Sequence, residues 1–116
     1  MTVYGACRIG HGYRSVGTEA CQRAESHGVH YEFCPTSSVS TEAVSCEWKD
    51  HPICKLCNKS PASCSISSDD PSIFRVTLTD ELVICVEKMG LSLENIKTMT
   101  LQALVKAFKL EPDLFN

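Results

Sequence analysis

The chain lacks several features that would indicate a function class at once. No run of eighteen apolar residues is present, so no membrane-spanning helix is expected. The first residues have neither the basic start nor the apolar stretch of a signal peptide. A glycine-rich phosphate loop, an HExxH motif and a His-x-Glu followed by Pro-Cys-x-x-Cys are also missing. With none of these catalytic motifs, we expect a protein that is not an enzyme.

A basic excess is missing too. The formal net charge is −3 and the pI is about 5.7. Proteins that depend on phosphate contacts usually carry a basic stripe, so strong non-specific binding to nucleic acid is not expected. The length of 116 residues predicts one domain over residues 1–116.

Composition divides this domain into three zones. Residues 1–34 are predicted to be rich in strands, with strands near residues 3–9, 13–16 and 29–33 and a short helix over residues 19–26. Residues 35–72 are poor in large apolar side chains and are predicted to form a loop region. Residues 73–116 are predicted to hold a strand pair and helices.

Four of the eight cysteines lie in the middle zone, and they are its most informative feature. Cys54-Lys-Leu-Cys57 has the spacing of a zinc knuckle, and Zn²⁺ prefers four tetrahedral ligands from Cys and His. Cys46 and Cys64 flank the pair at distances that allow both loops to fold back. We therefore predict a structural Zn²⁺ held by Cys46, Cys54, Cys57 and Cys64.

Other ligand sets stay open from the spacing alone. Cys34 and His51 are alternative ligands for the same ion. A second cluster with the spacing C-x5-H-x2-H-x3-C comprises Cys21, His27, His30 and Cys34. Cys7 and Cys85 lie in apolar segments and are interpreted as core residues.

Two further interpretations of the cysteines compete with zinc. An even number of cysteines permits complete disulfide pairing in a secreted protein. A redox CxxC is expected at the start of a helix after a strand, whereas this pair follows His51-Pro52 in a segment rich in Pro and Ser. A structural metal is the interpretation that this setting favours.

The last zone shows three regular patterns. Residues 73–78 alternate as a strand does, and the apolar run of residues 82–86 predicts a strand buried on both faces. Ser92 is a suitable N-cap for a helix over residues 93–97, and Thr100 for a second helix. In this second helix one apolar face is formed by Leu101, Leu104, Val105 and Phe108.

A family resemblance covers residues 46–100. The segments Phe74-Arg-Val-Thr-Leu-Thr-Asp80, Leu82-Val-Ile-Cys-Val86 and Glu87 to Ile96 resemble the centre of OB-folds of the replication protein A type. Some members of that family carry a zinc ribbon just before these strands, in the order seen here. The resemblance implies a zinc-stabilised OB-like module of a genome-maintenance assembly.

This resemblance also implies partners. OB-folds that hold single strands stack bases on aromatic side chains, so a protein partner and single-stranded nucleic acid are the expected ligands. The aromatic residues proposed to contact them are Trp48, Tyr31 and Phe33.

Taken together, the sequence predicts an α+β domain with a small antiparallel sheet or partial OB-like barrel. A zinc-held Cys-rich loop region and a C-terminal amphipathic helix complete it. The expected function is non-enzymatic binding in an intracellular, nuclear setting. The alternative is a secreted, disulfide-rich effector or toxin-like binder, and a thiol enzyme is a third hypothesis.

Overall fold

The computed structural model of the chain describes residues 5–107 and contains a parallel sheet. Its strands are β1 (Arg8–Gly10), β2 (His30–Phe33) and β3 (Cys64–Ile66), and they lie side by side in chain order. Ile9 is opposite Tyr31, and Tyr31 is opposite Cys64. Because all three strands run the same way, their carboxyl ends meet at one edge of the sheet.

Helices connect and follow the strands. Helix α1 (Glu19–Ser26) joins β1 to β2, and helices α2 (Pro35–Ser40) and α3 (Ile53–Lys59) lie between β2 and β3. Helices α4 (Pro71–Phe74), α5 (Leu78–Glu87) and α6 (Leu93–Lys106) follow β3. Short 3₁₀ turns occupy Tyr13–Ser15, Trp48–Asp50 and Pro61–Ser63.

Side-chain caps mark the beginning of four of these helices, and Asp70 is the cap of α4. The Thr18 hydroxyl accepts a hydrogen bond from an amide in the first turn of α1, and Ser92 does the same for α6. Helix α5 begins with a capping box, in which Thr77 and Asp80 each accept from the backbone amide of the other. Such caps satisfy amide groups that have no partner inside the helix.

The core lies between the sheet and the helices packed on it. Tyr31 and Phe33 of β2 are 1% and 0% exposed. Fully buried side chains from the helices include Ile53, Cys57, Cys85 and Met99. The middle β strand and helices α3, α5 and α6 therefore contribute to one apolar cluster.

The predicted antiparallel or OB-like sheet is wrong. Both strand pairs are parallel, and the segments that carried the resemblance are helical. Residues 73–78 end α4 and begin α5, and residues 82–86 lie inside α5. The capping box at Thr77 starts a helix where the apolar run alone suggested a strand.

The middle zone is not a loop held only by cysteines. Helix α3 buries Ile53, Leu56 and Cys57, which are spaced three and four residues apart and so lie on one face of the helix. This face packs into the main core. Residues 35–72 are therefore folded by apolar burial, in two helices and β3.

Predictions near both ends of the chain had mixed outcomes. The helix over residues 19–26 and the strand near residues 29–33 are confirmed by α1 and β2, and Ser92 does cap α6. Tyr13–Ser15 is a 3₁₀ turn rather than a strand, and α6 continues through Thr100 without a second start.

The predicted apolar face of this last helix does not dock on the sheet. Leu101, Leu104 and Val105 are 54%, 73% and 70% exposed, and Phe108 lies outside the described residues. Within residues 5–107, no helix is long and apolar enough to cross a membrane.

Candidate active site

Three chemically reactive side chains follow the three strands. His11 comes directly after β1, Cys34 directly after β2, and Asp69 three residues after β3. They share a cavity of about 680 Å³ at the carboxyl edge of the sheet. The carboxyl ends of parallel strands are where α/β proteins bind ligands. The other residues that line this cavity include Arg8, Gly10, Glu32, Ser65, Ser67 and Ala103.

These three side chains bring their donor atoms close together. One imidazole nitrogen, one thiol sulfur and one carboxylate oxygen, from His11, Cys34 and Asp69, lie within 4.8 Å of one another. The Nε2 atom of His11 lies 3.8 Å from Oδ2 of Asp69. Nitrogen, sulfur and carboxylate oxygen are the three donor types that bind Zn²⁺ in proteins. Among the described residues, this is the group whose geometry suits a metal ion.

The backbone is strained at two of these positions. His11 has a φ of 61° and Asp69 a φ of 60°, in the left-handed region that residues with a Cβ atom seldom adopt. Residues held in this way cost about 1–3 kcal/mol each and cluster at functional sites. Strain at both His11 and Asp69 fits a site in which side-chain direction matters more than stability.

Hydroxyl groups of two neighbouring residues form hydrogen bonds with the backbone of Cys34 and with the side chain of Asp69. The Tyr13 hydroxyl donates to the carbonyl of Cys34 at 2.8 Å and accepts from the Cys34 amide at 3.0 Å. The Ser37 hydroxyl donates to Oδ2 of Asp69 at 2.7 Å. Burial raises the pKa of Tyr13 to about 12, so its hydroxyl keeps the proton that it donates. Tyr13 and Ser37 thereby connect two strand ends to the site.

The thiol of Cys34 is neutral in this setting. Burial, together with the nearby carboxylate of Asp69, raises the pKa of Cys34 to about 12. Only 5% of its surface is exposed. A cation bound beside Asp69 would favour loss of this proton, because metal ligation by cysteine requires the thiolate.

The four cysteines predicted to bind zinc are not all brought together. Sγ of Cys57 and Sγ of Cys64 are 3.7 Å apart, and both residues are fully buried. Cys54 turns its thiol toward the carbonyl oxygens of Trp48 and Met89, and Cys46 is exposed. No group of three sulfur atoms within 4.8 Å is found in residues 5–107. The CxxC pair lies inside α3, where its sulfurs are part of the core.

Of the alternative ligands, Cys34 alone reaches the strand-end site. His30 is buried with Nε2 2.9 Å from the Ser65 hydroxyl, and His51 is buried against Ser38. His27 is exposed at the end of α1, and Cys21 is buried within that helix. All eight cysteines are free thiols, so the structure gives no support to a disulfide-rich protein.

The residues proposed to contact a partner have other roles. Tyr31 and Phe33 are core residues that stack on each other at 5.6 Å. Trp48 is half-buried and stacks on His51, with the Lys88 ammonium 5.7 Å from its ring. Because Tyr31 and Phe33 are fully buried, these two rings offer no stacking surface for bases.

The sequence does contain signals for the residues that were missed. His11 stands between Gly10 and Gly12 directly after a strand. A Cβ atom at Gly12 would lie 2.7 Å from the Tyr31 ring, so this turn requires glycine. Asp69 is followed by Asp70 and Pro71, and Asp70 caps α4. A polar residue in a tight turn after a strand is the signal, but it becomes informative only once the sheet is known to be parallel.

Comparison with known proteins gives a consistent result. The family model described as adenosine deaminase matches residues 1–113. An adenosine deaminase of Danio rerio is 31% identical over 97% of this chain and 32% of its own length. An adenosine deaminase of Xenopus laevis is 33% identical over 93% of this chain and 30% of its own. An adenine deaminase of Sinorhizobium medicae is 35% identical over 90% of this chain and 32% of its own. The chain thus spans about a third of the length of these relatives.

These matches overturn several predictions. The resemblance to OB-folds of replication protein A with a zinc ribbon is wrong, because another family model covers nearly the whole chain. The predicted non-enzymatic binding module, its DNA-binding role and the secreted effector alternative are wrong as well, since the relatives are named as enzymes that deaminate small molecules. No support remains for a protein or single-stranded nucleic-acid partner. With the parallel strands and the residues at their carboxyl ends, the match over residues 1–113 leads to one conclusion: the chain belongs to the adenosine deaminase family.

Proposed function

We propose that this chain supplies part of the active site of a zinc-dependent hydrolase that deaminates an adenine ring. In this reaction water adds its oxygen at the ring carbon that bears the amino group, and that group leaves as ammonia. The observation that carries the proposal is the convergence of His11, Cys34 and Asp69 at the carboxyl edge of a parallel sheet. The printed names of the relatives supply the substrate class.

The topology supports a larger assembly of the same kind. Consecutive parallel strands, each followed by helices, are the repeating unit of a (β/α)₈ barrel, whose active sites lie at the carboxyl face. The three strands here are adjacent in chain order, as they would be in such a barrel. We infer that the site described here is one sector of a larger active site.

The donor set fits a zinc ion. Asp69 and His11 would be the first ligands to consider, and the Cys34 thiol is the third donor within 4.8 Å. Catalytic zinc sites keep an open position, and a bound zinc lowers the pKa of a water molecule to about 7. Three protein donors would leave such a position open.

His11 and Asp69 have chemistry of their own to contribute. The carboxylate is an acceptor, and a neutral imidazole nitrogen can be one too. At 3.8 Å these two groups are too far apart for a direct hydrogen bond but can both reach one water molecule. Whichever of the two is not bound to zinc can therefore orient the attacking water, take its proton and later deliver a proton toward the leaving amino group.

The cavity suits a ring of this size. Its volume of about 680 Å³ is within the range of small-molecule sites. The ion pair between Arg8 and Glu32, at 2.7 Å, lies on its lining, so the two charges largely offset each other. A neutral purine is accordingly a better match than an anionic ligand.

The proposal is tested by two measurements on the same protein. The purified chain is treated with a chelator and dialysed, and zinc binding is followed by calorimetry. Ammonia release from adenosine and from adenine is then measured with zinc present. We expect Asp69→Asn to weaken zinc binding at least tenfold. Glu94→Gln is the matched control, because it removes one exposed carboxylate in the first turn of α6, which is not part of the cavity lining.

The outcomes separate the two candidate zinc sites. Loss of zinc binding in Asp69→Asn but not in Cys57→Ser supports the strand-end site. Loss in Cys57→Ser but not in Asp69→Asn would instead support the four-cysteine site predicted from the sequence. Ammonia release that exceeds the background of zinc alone in the parent and is equally high in Asp69→Asn would contradict the proposed chemistry.

A further inference from the structure

The hydroxyl of Tyr13 has three hydrogen-bonding neighbours close to the candidate site. The proposed reaction does not by itself require these contacts. The hydroxyl proton goes to the carbonyl oxygen of Cys34, 2.8 Å away. The hydroxyl oxygen of Tyr13 in turn accepts a hydrogen bond from the backbone amide of Cys34 at 3.0 Å. A third neighbour, Nδ1 of His11, lies 3.3 Å away. A phenol has one proton to donate, and the Cys34 carbonyl oxygen, at 2.8 Å, is a nearer acceptor for it than Nδ1 of His11 at 3.3 Å.

This count determines the role of the imidazole nitrogen. Because Tyr13 donates to Cys34, it has only a lone pair to offer to Nδ1 of His11. If Nδ1 also carried a lone pair, two acceptors would face each other at 3.3 Å. The favourable arrangement places the proton on Nδ1, which donates it to Tyr13. In a neutral imidazole Nε2 then has the lone pair.

We propose that Tyr13 is a positioning residue that holds His11 as the Nδ1–H tautomer, with the Nε2 lone pair directed toward Asp69. Two acceptors, Nε2 and Oδ2, then face each other across 3.8 Å. A water molecule or a cation fits in the gap between these two atoms. The proposal rests on the proposed function only for the use made of that gap, since the tautomer is a property of the chain alone.

The packing around Tyr13 makes it suitable for this task. Its ring is 8% exposed, stacks on Phe33 at 5.9 Å and meets His51 edge to face at 5.6 Å. Phe33 is the last residue of β2, and Cys34 follows it, so the hydroxyl is held at the end of that strand. Tyr13 thereby links the end of β2 to the imidazole of His11, which follows β1.

The tautomer can be measured without any activity. A long-range ¹H–¹⁵N correlation spectrum of the ¹⁵N-labelled chain, with chelator present and at alkaline pH, distinguishes protonated from unprotonated ring nitrogens. His11→Gln assigns the His11 signals by their disappearance. We expect Nδ1 of His11 to be the protonated nitrogen in the parent. In Tyr13→Phe, which keeps the ring and loses the acceptor, we expect loss of this single-tautomer pattern.

Two histidines of the same chain serve as references. Nδ1 of His27 is 2.8 Å from the carbonyl of Arg23, so His27 should show an Nδ1–H signal in the parent and the variant alike. Nδ1 of His51 accepts from the Ile53 amide, so His51 should show the opposite Nε2–H pattern.

The result in the parent alone can overturn the proposal. An Nε2–H tautomer of His11 would do so even if Tyr13→Phe did not fold. A variant that folds, keeps the His27 signals and retains the Nδ1–H pattern of His11 would also contradict a role for Tyr13. Neither outcome depends on zinc or on deamination, so a failure of the proposed function remains distinguishable.

Discussion

The buried carboxylate of Glu81 accepts the backbone amide of Thr36 with both of its oxygen atoms, at 3.1 and 3.2 Å. Glu81 belongs to α5 and is 0% exposed, whereas Thr36 lies in the first turn of α2. Burial raises the pKa of Glu81, which shows that the site favours the charged form less than water does. This contact ties α5 to the segment that follows β2 and carries Cys34 and Ser37.

Replacing Glu81 tests this link. Glu81→Ala leaves the Thr36 amide without its partner, and we expect the free energy of unfolding to fall by about 1–3 kcal/mol. Glu81→Gln is the matched variant, because it keeps an acceptor oxygen in the same shape and should lose less. Urea unfolding followed by circular dichroism measures both. An alanine variant as stable as the parent would show that the contact has no net effect.

The left-handed backbone at His11 predicts that a glycine variant is more stable there than an alanine variant, which is the reverse of the order in a helix. Both substitutions remove the imidazole, but glycine accepts a φ of 61° without a Cβ clash. We expect His11→Gly to be about 1 kcal/mol more stable than His11→Ala.

Gln22 gives the matched control for this comparison. It is exposed within α1, where glycine should be about 1 kcal/mol less stable than alanine. Thermal unfolding of the four variants makes the comparison. The same sign at residues 11 and 22 would argue against a left-handed conformation at His11.

Acid should destabilise the fold through His51. Burial lowers the pKa of His51 to about 4, below the ordinary value of 6.5. Between these values the unfolded chain binds the proton and the folded one does not. Stability from this residue is therefore complete above pH 6.5 and is lost as the pH falls toward 4, by an amount on the order of 3 kcal/mol.

A contact of His51 acts in the same direction as burial. Nδ1 accepts from the Ile53 amide at 3.3 Å, so a second proton on the ring would have to displace that bond. Urea unfolding at several pH values, in the parent and in His51→Gln, isolates its part. Parallel pH curves for the two proteins would show that His51 does not contribute.

The cysteines are predicted to differ in their effect on stability. Cys57 is 0% exposed, and Cys57→Ser places a hydroxyl in the core at a cost of about 1–3 kcal/mol. Cys46 is exposed, so Cys46→Ser should change stability by less than about 0.5 kcal/mol. Chemical unfolding, carried out once with a chelator and once with zinc present, measures both. Equal losses, seen only when zinc is present, would restore the four-cysteine site as a hypothesis.

Local signals predicted part of this fold correctly. The Ser92 cap and the pattern of residues 19–26 identified helices, because caps and periodicity depend on neighbours in the sequence. The run of residues 82–86 was assigned to a strand because every residue in it is apolar. It lies in a helix that buries Glu81 and Cys85, which are four residues apart. Since Glu81 stands before the run, the helical period extends beyond the run itself.

The candidate site was beyond local signals. His11 and Asp69 are 58 residues apart, and only a parallel register brings the ends of β1 and β3 to the same edge. The CxxC spacing predicted a metal site because two cysteines at this spacing are typical of metal ligands. In α3 the same spacing places Cys54 and Cys57 one helical turn apart, where both are buried. Spacing in the sequence therefore could not distinguish a ligand pair from a buried helix face.

The left-handed backbone at His11 and Asp69 has a consequence for protein engineering. A library screened only for thermal tolerance would favour glycine over alanine at these two positions, since glycine adopts a positive φ without a Cβ clash. The selected glycine variants would keep the fold but would have lost the imidazole and the carboxylate that face each other. A screen for improved variants of this chain must therefore hold residues 11 and 69 constant and seek its gains elsewhere.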